Sequence, residues 1–525
     1  MVEFSRRAVL RSGLAAGAGL ALGSAAQPRT GSAALPRRGS AAPGFLPDGR
    51  PLLTHGVQSG DPTADGAVVW TRADRPGRMV VEVSDRPDFR RVRRVRGPVL
   101  TPDTDHTGKV MLRDLPAGTD IHYRVRVEHL DVHGLVSEPA AGRLRTAPGG
   151  TRTRRGIRFL WTGDNNGQGW GINSRVGGTR IFTAMRALRP DFFLYSGDMV
   201  YADVPIDEQV GLPDGTVWTN VVTEAKSKVA ETLDEYRGQY AYNLLDEHLR
   251  AFLAQVPQVN QWDDHEVRNN WYPGQVLHDD RYTVKDVDVL AARGRRAFGE
   301  WTPSRPGQIY RRLAFGPLLD IFVVDMRGYR DPNSRNRVGD ADHGVLGARQ
   351  RAWLVDGLRR SRAIWKVIAA DQSVGLVLSA GSRRFEGVAQ GDHGPPLGRE
   401  LELAAMLRDT HRAGVTGMIF LTADVHYTAA HHFDPARGSV GDFTPFWEFV
   451  SGPANAGAFR ANPLDGTFGP WVEYVHAPQE KTAPSVGYQH FGEVDIDGES
   501  GAMTVRLRDQ TGTALWSITL PAPPV

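Results

Sequence analysis

Four short apolar runs, at residues 156–161, 191–195, 256–262 and 417–421, each lead into a cluster of acidic, imidazole, amide or phenolic side chains. The clusters contain Asp164 and Asn166; Asp198 and Tyr201; Asp264, His265 and Glu266; and Asp424 and His426. Apolar runs of this length bounded by turn residues are buried β-strands. Helical patterns at 180–188, 235–254, 347–360 and 399–413 alternate with them, the first stopping before Pro190 and the second before Pro257. Further strand-like runs lie at 318–324, 363–369 and 446–450, and the closing stretch 487–520 is β-rich. Open α/β sheets bind ligands where their strands end, so this pattern calls for an α/β fold in which four strand ends converge on one crevice.

The region before this is different. Residues 45–150 alternate β-formers with turn signals, as in 67–71, 78–83 and 122–128, which reads as a separate β-sandwich. The run of arginines from Arg90 to Arg96, interleaved with Val92 and Val95, reads as a solvated strand face and not as a polyanion patch. A formal charge of +3 on 525 residues likewise gives no indication of a nucleic-acid partner. The absence of cysteine excludes disulfides, thiolate zinc sites and a cysteine nucleophile.

At the N-terminus, Arg6 and Arg7 precede a Gly/Ala-rich apolar stretch from Leu14 to Leu22, with small residues at Ser24 to Ala26. That is a twin-arginine export signal. The stretch falls short of the roughly 20 strongly apolar residues that span a bilayer. With its linker, the signal occupies residues 1–44, and the chain is expected to be secreted or extracytoplasmic, with the twin-arginine translocation machinery as a partner and no membrane segment left after processing.

The clusters suit a two-metal hydrolytic site. Hydrolysis of a phosphate ester needs a nucleophilic water at neutral pH and a sink for phosphoryl charge, and two cations about 3.5–4 Å apart supply both. Asp198 is the candidate bridging carboxylate. Asp164, Tyr201 and His426 would complete one ion's ligands, with a hard trivalent ion as the reason to recruit a phenolate. Asp264 and Asp424 would join Asp198 around the second, an all-oxygen set suited to calcium, manganese or magnesium. His265 is assigned to phosphoryl binding or to proton donation, with Glu266 orienting it. Asn166 and Asn270 are open between loop hydrogen bonding and phosphate contact. A zincin motif fails, because position 269 is Asn and not His.

The order Gly163-Asp164, Gly197-Asp198-Met-Val-Tyr201, Trp262-Asp-Asp264-His265-Glu266 with Asn269-Asn270-Trp271, and Ala423-Asp424-Val-His426 resembles the PhoD-like alkaline phosphatases of the calcineurin-like metallophosphoesterases. The segment His55-Gly-Val with Ser59-Gly-Asp61-Pro and the late block from Phe446 to Pro453 agree. The resemblance implies a catalytic sandwich of two mixed sheets flanked by helices over residues 155–525. It also implies a fibronectin-like sandwich over 45–150 and an exported phosphomonoesterase or phosphodiesterase carrying one Fe(3+) and one or two Ca(2+), with Mn(2+), Mg(2+) or Zn(2+) as substitutes. Asp264, His265 and Asn270 are the expected catalytic residues. Where many relatives use a cysteine on iron this chain has none, and Asn166 replaces a histidine of the broader motif, with Tyr201 compensating. Phospholipase D activity is the alternative within the same chemistry, and a catalytically silent surface binder the alternative outside it. The chain is expected to act as a monomer.

Overall fold

The computed structural model describes residues 49–150, 155–337 and 344–524, so the expected signal and linker at 1–44 lie outside the described residues. Strands Ile157–Thr162, Phe192–Ser196 and Gln258–Gln261 run parallel in the middle of a nine-stranded sheet. Met418–Thr422 belongs to a second, seven-stranded sheet, where it is parallel to Trp365–Ala369 and Phe446–Val450. The four ligand-bearing strand ends therefore come from two sheets.

Those sheets pack face to face. Phe159, Trp161, Leu194 and Val259 from one meet Ile321, Val367, Ile419, Leu421 and Phe449 from the other in a single buried core. Strands covered on both faces lose their alternation and read as continuous apolar runs, which is how they stand in the sequence. On the outside of the nine-stranded sheet, helices Ile181–Ala187, Leu233–Asn243, Glu247–Leu253 and Val287–Trp301 bury Phe182, Tyr236, Phe252 and Phe298. Helices Gly347–Arg360 and Arg399–Arg412 cover the other sheet, placing Leu354 and Met406 against Ile368 and Phe420. The result is four layers, helix, sheet, sheet, helix. The C-terminal strands His490–Ile496, Met503–Asp509 and Ala514–Leu520 extend the nine-stranded sheet beside Ile157–Thr162.

Two helices depart from the sequence expectation. The pattern at 235–254 breaks into two, because Asp246 accepts from the Leu249 amide and caps a new helix. Helix Val287–Trp301 was not foreseen. Its Gly294 dilutes the apolar pattern but lets the helix touch the loop carrying the acids, where a Cβ would meet the Glu266 carbonyl oxygen at 2.6 Å.

The N-terminal sandwich has one sheet of its own, Gly77–Ser84, Arg93–Leu100, Asp120–Glu128 and Ala140–Arg145. Its other face is made by Leu53–Gly60, Ala67–Ala73 and Thr107–Leu112, which prolong the nine-stranded sheet through the pairing of Gly60 with Gln258. At Gly60 a Cβ would meet the Pro303 and Gln258 carbonyl oxygens at 2.7 and 2.8 Å, so the junction requires glycine. Next to it, buried Asp61 accepts from the Arg305 amide at 2.8 Å and from Arg311 Nη2 at 2.7 Å. The Ser59-Gly60-Asp61 segment is therefore a structural clamp. As expected of a solvated face, Arg93, Arg94 and Arg96 are exposed, with Arg94 paired to buried Glu82 at 2.9 Å.

Asp61→Asn leaves the Arg311 guanidinium without its carboxylate. Breaking a buried pair in this way costs roughly 3–5 kcal/mol, and thermal unfolding followed by calorimetry should show a clearly lowered midpoint. An unchanged midpoint would mean that the clamp does not hold the two parts together.

Candidate metal centre

Where the strands end, the backbone turns sharply. Asp164, Asp198, Asp424 and His426 have φ of 61°, 47°, 68° and 61°, in the left-handed region. Each such non-glycine residue costs about 1–3 kcal/mol and persists only where its surroundings fix it. Those surroundings are polar ties across the two sheets. Trp161 Nε1 donates to the Thr422 carbonyl at 3.2 Å, and Gln261 Nε2 donates to the carbonyls of Val324 and Ala369 at 2.8 and 2.9 Å. The loop at 454–455 adds amide bonds to the carbonyls of Gly163 and Asp164.

The six residues expected as metal ligands come together. Ligand atoms of Asp164, Asp198 and His426 lie within 4.8 Å of one another, as do those of Asp198, Asp264 and His265, and those of Asp263, Asp264 and Asp424. Asp198 belongs to the first two groups and Asp264 to the last two. The Tyr201 hydroxyl is 2.9 Å from His426 Nε2, and its ring lies 4.1 Å from the His265 ring. Gly167 makes room for that ring, since a Cβ there would meet it at 2.2 Å. Asp198, Asp264, His265, Asn270, Asp424 and His426 line a cavity of about 390 Å³, together with Phe459 and Arg460.

The donors fit cations. Asp164 is fully buried, yet neither of its carboxylate oxygens has a hydrogen-bond partner. Burial, reinforced by neighbouring carboxylates, pushes Asp164 and Asp198 well above the usual carboxylate range. A cation reverses that balance. Burial lowers His426 to about 3, and its Nδ1–H donates to the Gly457 carbonyl, so Nε2 carries a lone pair suited to a metal. Tyr201 is pushed well above an ordinary phenol by burial and by Asp198 and Asp164, so only a strongly charged ion would deprotonate it.

Around His265 the expectation needs correcting. Glu266 does not orient the imidazole; its two oxygens accept from the amides of Met199 and Asp263, at 2.6 and 2.7 Å, and brace the turns. The orienting group is Asp203, whose Oδ1 lies 2.5 Å from His265 Nδ1 and whose Oδ2 accepts from the Asn269 amide. Burial alone would lower the His265 pKa, but Asp203 and Asp264 outweigh it and raise the imidazole to about 9. Asn166 serves the loop: its Nδ2 donates to Asn243 and its Oδ1 accepts from Asn455. Asn270 stays at the cavity, where its amide turned toward the acids donates to Glu386 at 2.8 Å and to Asp264 at 3.1 Å.

Four groups were missed: Asp203, Arg327, Asp371 and Glu386. Arg327 is fully buried and reaches Asp263 at 2.5 Å, Glu386 at 3.1 Å and Asp371 at 3.4 Å. Against burial, which would raise it, Arg327 and His265 hold Asp264 below the usual carboxylate range. Arg327 and Asp371 lie just past strands Leu319–Val323 and Trp365–Ala369, so the strand-end rule that found the others points to these as well.

Residues 159–507 match the PhoD-like phosphatase family and residues 39–148 the PhoD-like phosphatase N-terminal domain. Alkaline phosphatase D of Bacillus subtilis (strain 168) is 27% identical over 344 residues, 60% of this chain and 55% of that protein, so the match spans little more than half of the relative's length. A solved structure of PhoD superposes with a TM-score of 0.68 at 20% identity, covering 91% of this chain and 90% of the other. Purple acid phosphatase PPD1 from yellow lupin (Lupinus luteus) seeds gives 0.55 at 12% identity, covering 90% and 74%. At these identities both show a shared fold.

In metal-free protein, Asp203→Asn removes the charge that holds His265 cationic. The His265 pKa, followed by NMR titration, should fall from about 9 toward the ordinary value. A titration unmoved by the substitution would leave Asp203 without a role at the imidazole.

Proposed function

The chain belongs to the PhoD-like phosphatase family, and from that premise we propose that it is a metal-dependent phosphoester hydrolase in which Asp198 is shared by two cations. One observation carries this reading: the Asp198 carboxylate is within ligand reach of two separate donor groups at once. Asp164, Tyr201 and His426 would hold one ion on one side, and Asp264 and Asp424 the second on the other. Together the ions would supply a water activated at neutral pH and a sink for charge on the phosphoryl oxygens. Burial and the nearby Asp198 and Asp164 disfavour the Tyr201 phenolate, so its recruitment as a ligand argues for a strongly charged ion such as Fe(3+) in the first site, and the all-oxygen second set for Ca(2+), with Mn(2+) or Mg(2+) able to substitute.

The chain's own residues do the rest. Asp203 takes Nδ1 of His265 and leaves Nε2, 3.9 Å from Asp264 Oδ1, as the nitrogen available to the cavity that His265 lines. A charged imidazole there holds a proton for the leaving oxygen. The Asn270 amide lies on the same wall, placed to steer a phosphoryl oxygen while it fixes Asp264. The Tyr201 ring packs against the His265 ring, and a chain of hydrogen bonds from Asn455 through Asn166 to Asn243 fixes the loop beside it. The twin-arginine signal at 1–44 supports delivery outside the cytoplasm in folded, metal-loaded form. Among the described residues no helix is long and apolar enough to cross a membrane.

Purified protein should hydrolyse p-nitrophenyl phosphate or bis(p-nitrophenyl) phosphate, lose that activity to a chelator and regain it with Ca(2+) or Mn(2+). His265→Ala should lower kcat about 10²–10⁴-fold, as loss of a general acid does. A metal-replete preparation inert toward both esters would refute the hydrolase reading, and comparison of the two rates assigns monoester or diester preference. Iron-loaded protein should be purple or orange from phenolate-to-iron charge transfer and colourless as Tyr201→Phe; colour that survives the substitution would remove Tyr201 from the metal.

A further inference from the structure

One wall of the cavity over the metal centre takes no part in the chemistry assigned so far. Phe459 and Arg460 line it next to His426, and the Phe459 ring lies 4.8 Å from the His426 imidazole. The segment is pinned on both sides. Ala458 and Thr482 exchange backbone hydrogen bonds of 3.0 Å, the Phe459 amide donates to the His426 carbonyl at 3.3 Å, and the Asn462 amide donates to the Tyr427 hydroxyl at 3.1 Å. Between these ties Arg460 is exposed, and among the described residues its guanidinium has no ion pair and no hydrogen bond.

Asp198, Asp264, Glu386 and Asp424 line the same cavity, yet none of their carboxylates pairs with Arg460. Lys481 adds a second positive charge on that side. Its Nζ lies 5.5 Å from the centre of the Phe459 ring, and it too has no carboxylate partner among the described residues. Neither charge is taken up by an ion pair within the fold. A guanidinium presents a planar fork of donors that fits the paired oxygens of a carboxylate or a phosphate, and backbone fixed on both sides lowers the ordering cost of using it.

We propose that Arg460, with Lys481 beside it, is a specificity residue that selects phosphoesters carrying a second anionic group, a carboxylate or a further phosphate, on the part of the molecule that lies outside the metal centre. The reacting phosphoryl group is met by the cations, His265 and Asn270, so an exposed guanidinium on the His426 side is left for the remainder of the substrate. The same charges disfavour an ester whose other arm ends in an ammonium group. The inference rests on the phosphoester hydrolase reading and narrows its substrate class.

Three small monoesters that differ in the charge of their free end test it: 3-phosphoglycerate, glycerol 3-phosphate and phosphocholine. Full-length, metal-loaded protein is assayed on whichever nitrophenyl ester it cleaves, with each of the three as a competitor. Wild type should bind 3-phosphoglycerate about tenfold or more tightly than glycerol 3-phosphate, the size of effect that one charge-assisted hydrogen bond gives, and phosphocholine most weakly. Added NaCl should narrow the gap. Arg460→Ala should close most of it and Arg460→Glu should reverse the order; because Arg460 is exposed and unpaired, both variants should fold. Fructose 1,6-bisphosphate and fructose 6-phosphate repeat the comparison with a phosphate as the second anion, and preference for the more highly charged ester in either pair supports the proposal. Equal inhibition within both pairs, or a preference that survives intact in Arg460→Ala, would overturn it. Should neither nitrophenyl ester be cleaved, the hydrolase reading fails by itself, and calorimetric titration of the same compounds still decides on Arg460.

Discussion

Buried like charge governs this molecule. Asp164, Asp198, Asp263, Asp264 and Asp371 are all buried at the ends of strands from two sheets, with Glu386 buried on a loop and Asp424 beside them at the cavity wall. Ionised carboxylates leave water only when paired, and a set this dense would otherwise take up protons or push the sheets apart. The structure answers with charge of the opposite sign and with rigid backbone. Arg327 and His265 neutralise one side, amides of Met199, Asp263, His265 and Asn270 point at oxygens, and the Asp164 side is left for cations. Without the ties from Trp161, Gln261 and Trp262 across the sheets, nothing would hold two sets of acids at coordination distance against their repulsion.

The same constraint accounts for the left-handed turns. An acid that continued in strand conformation would point into the apolar core between the sheets. Turning the backbone at Asp164, Asp198 and Asp424 carries the side chain past the sheet edge into the shared basin, at a local cost met by the contacts around it. Chemistry and strain therefore fall on the same residues. The N-terminal sandwich lies outside this balance but is continuous with the sheet that carries most of it. Gly60 pairs beside Gln258, on the strand that leads to Asp263 and Asp264, and Asp61 locks that edge to Arg311.

Much of this was legible in the sequence because apolar runs and turn chemistry are local. The strands before Asp164, Asp198, Asp264 and Asp424 declared themselves by composition, and with them all six ligand candidates. What stayed hidden depended on partners distant in the chain. Asp203 is one more loop acid until the fold brings it to His265, and Glu266 suggested itself as the orienting group only through adjacency. Arg327 stands just past a strand end like the others, but an arginine there carries no signature of metal chemistry. The helix at Val287–Trp301 was masked by the glycine that lets it approach the site, and the break before Glu247 was set by a cap contact that the apolar pattern does not record.

The central claim is that one carboxylate, Asp198, is shared by two cations held at the meeting point of two sheets. A crystal structure of metal-loaded protein with anomalous data collected at the edges of the bound metals tests it directly. Two anomalous peaks are expected about 3.5–4 Å apart with Asp198 between them, one against Asp164, Tyr201 and His426 and the other against Asp264 and Asp424. A single peak, or two peaks with Asp198 touching only one, would contradict it.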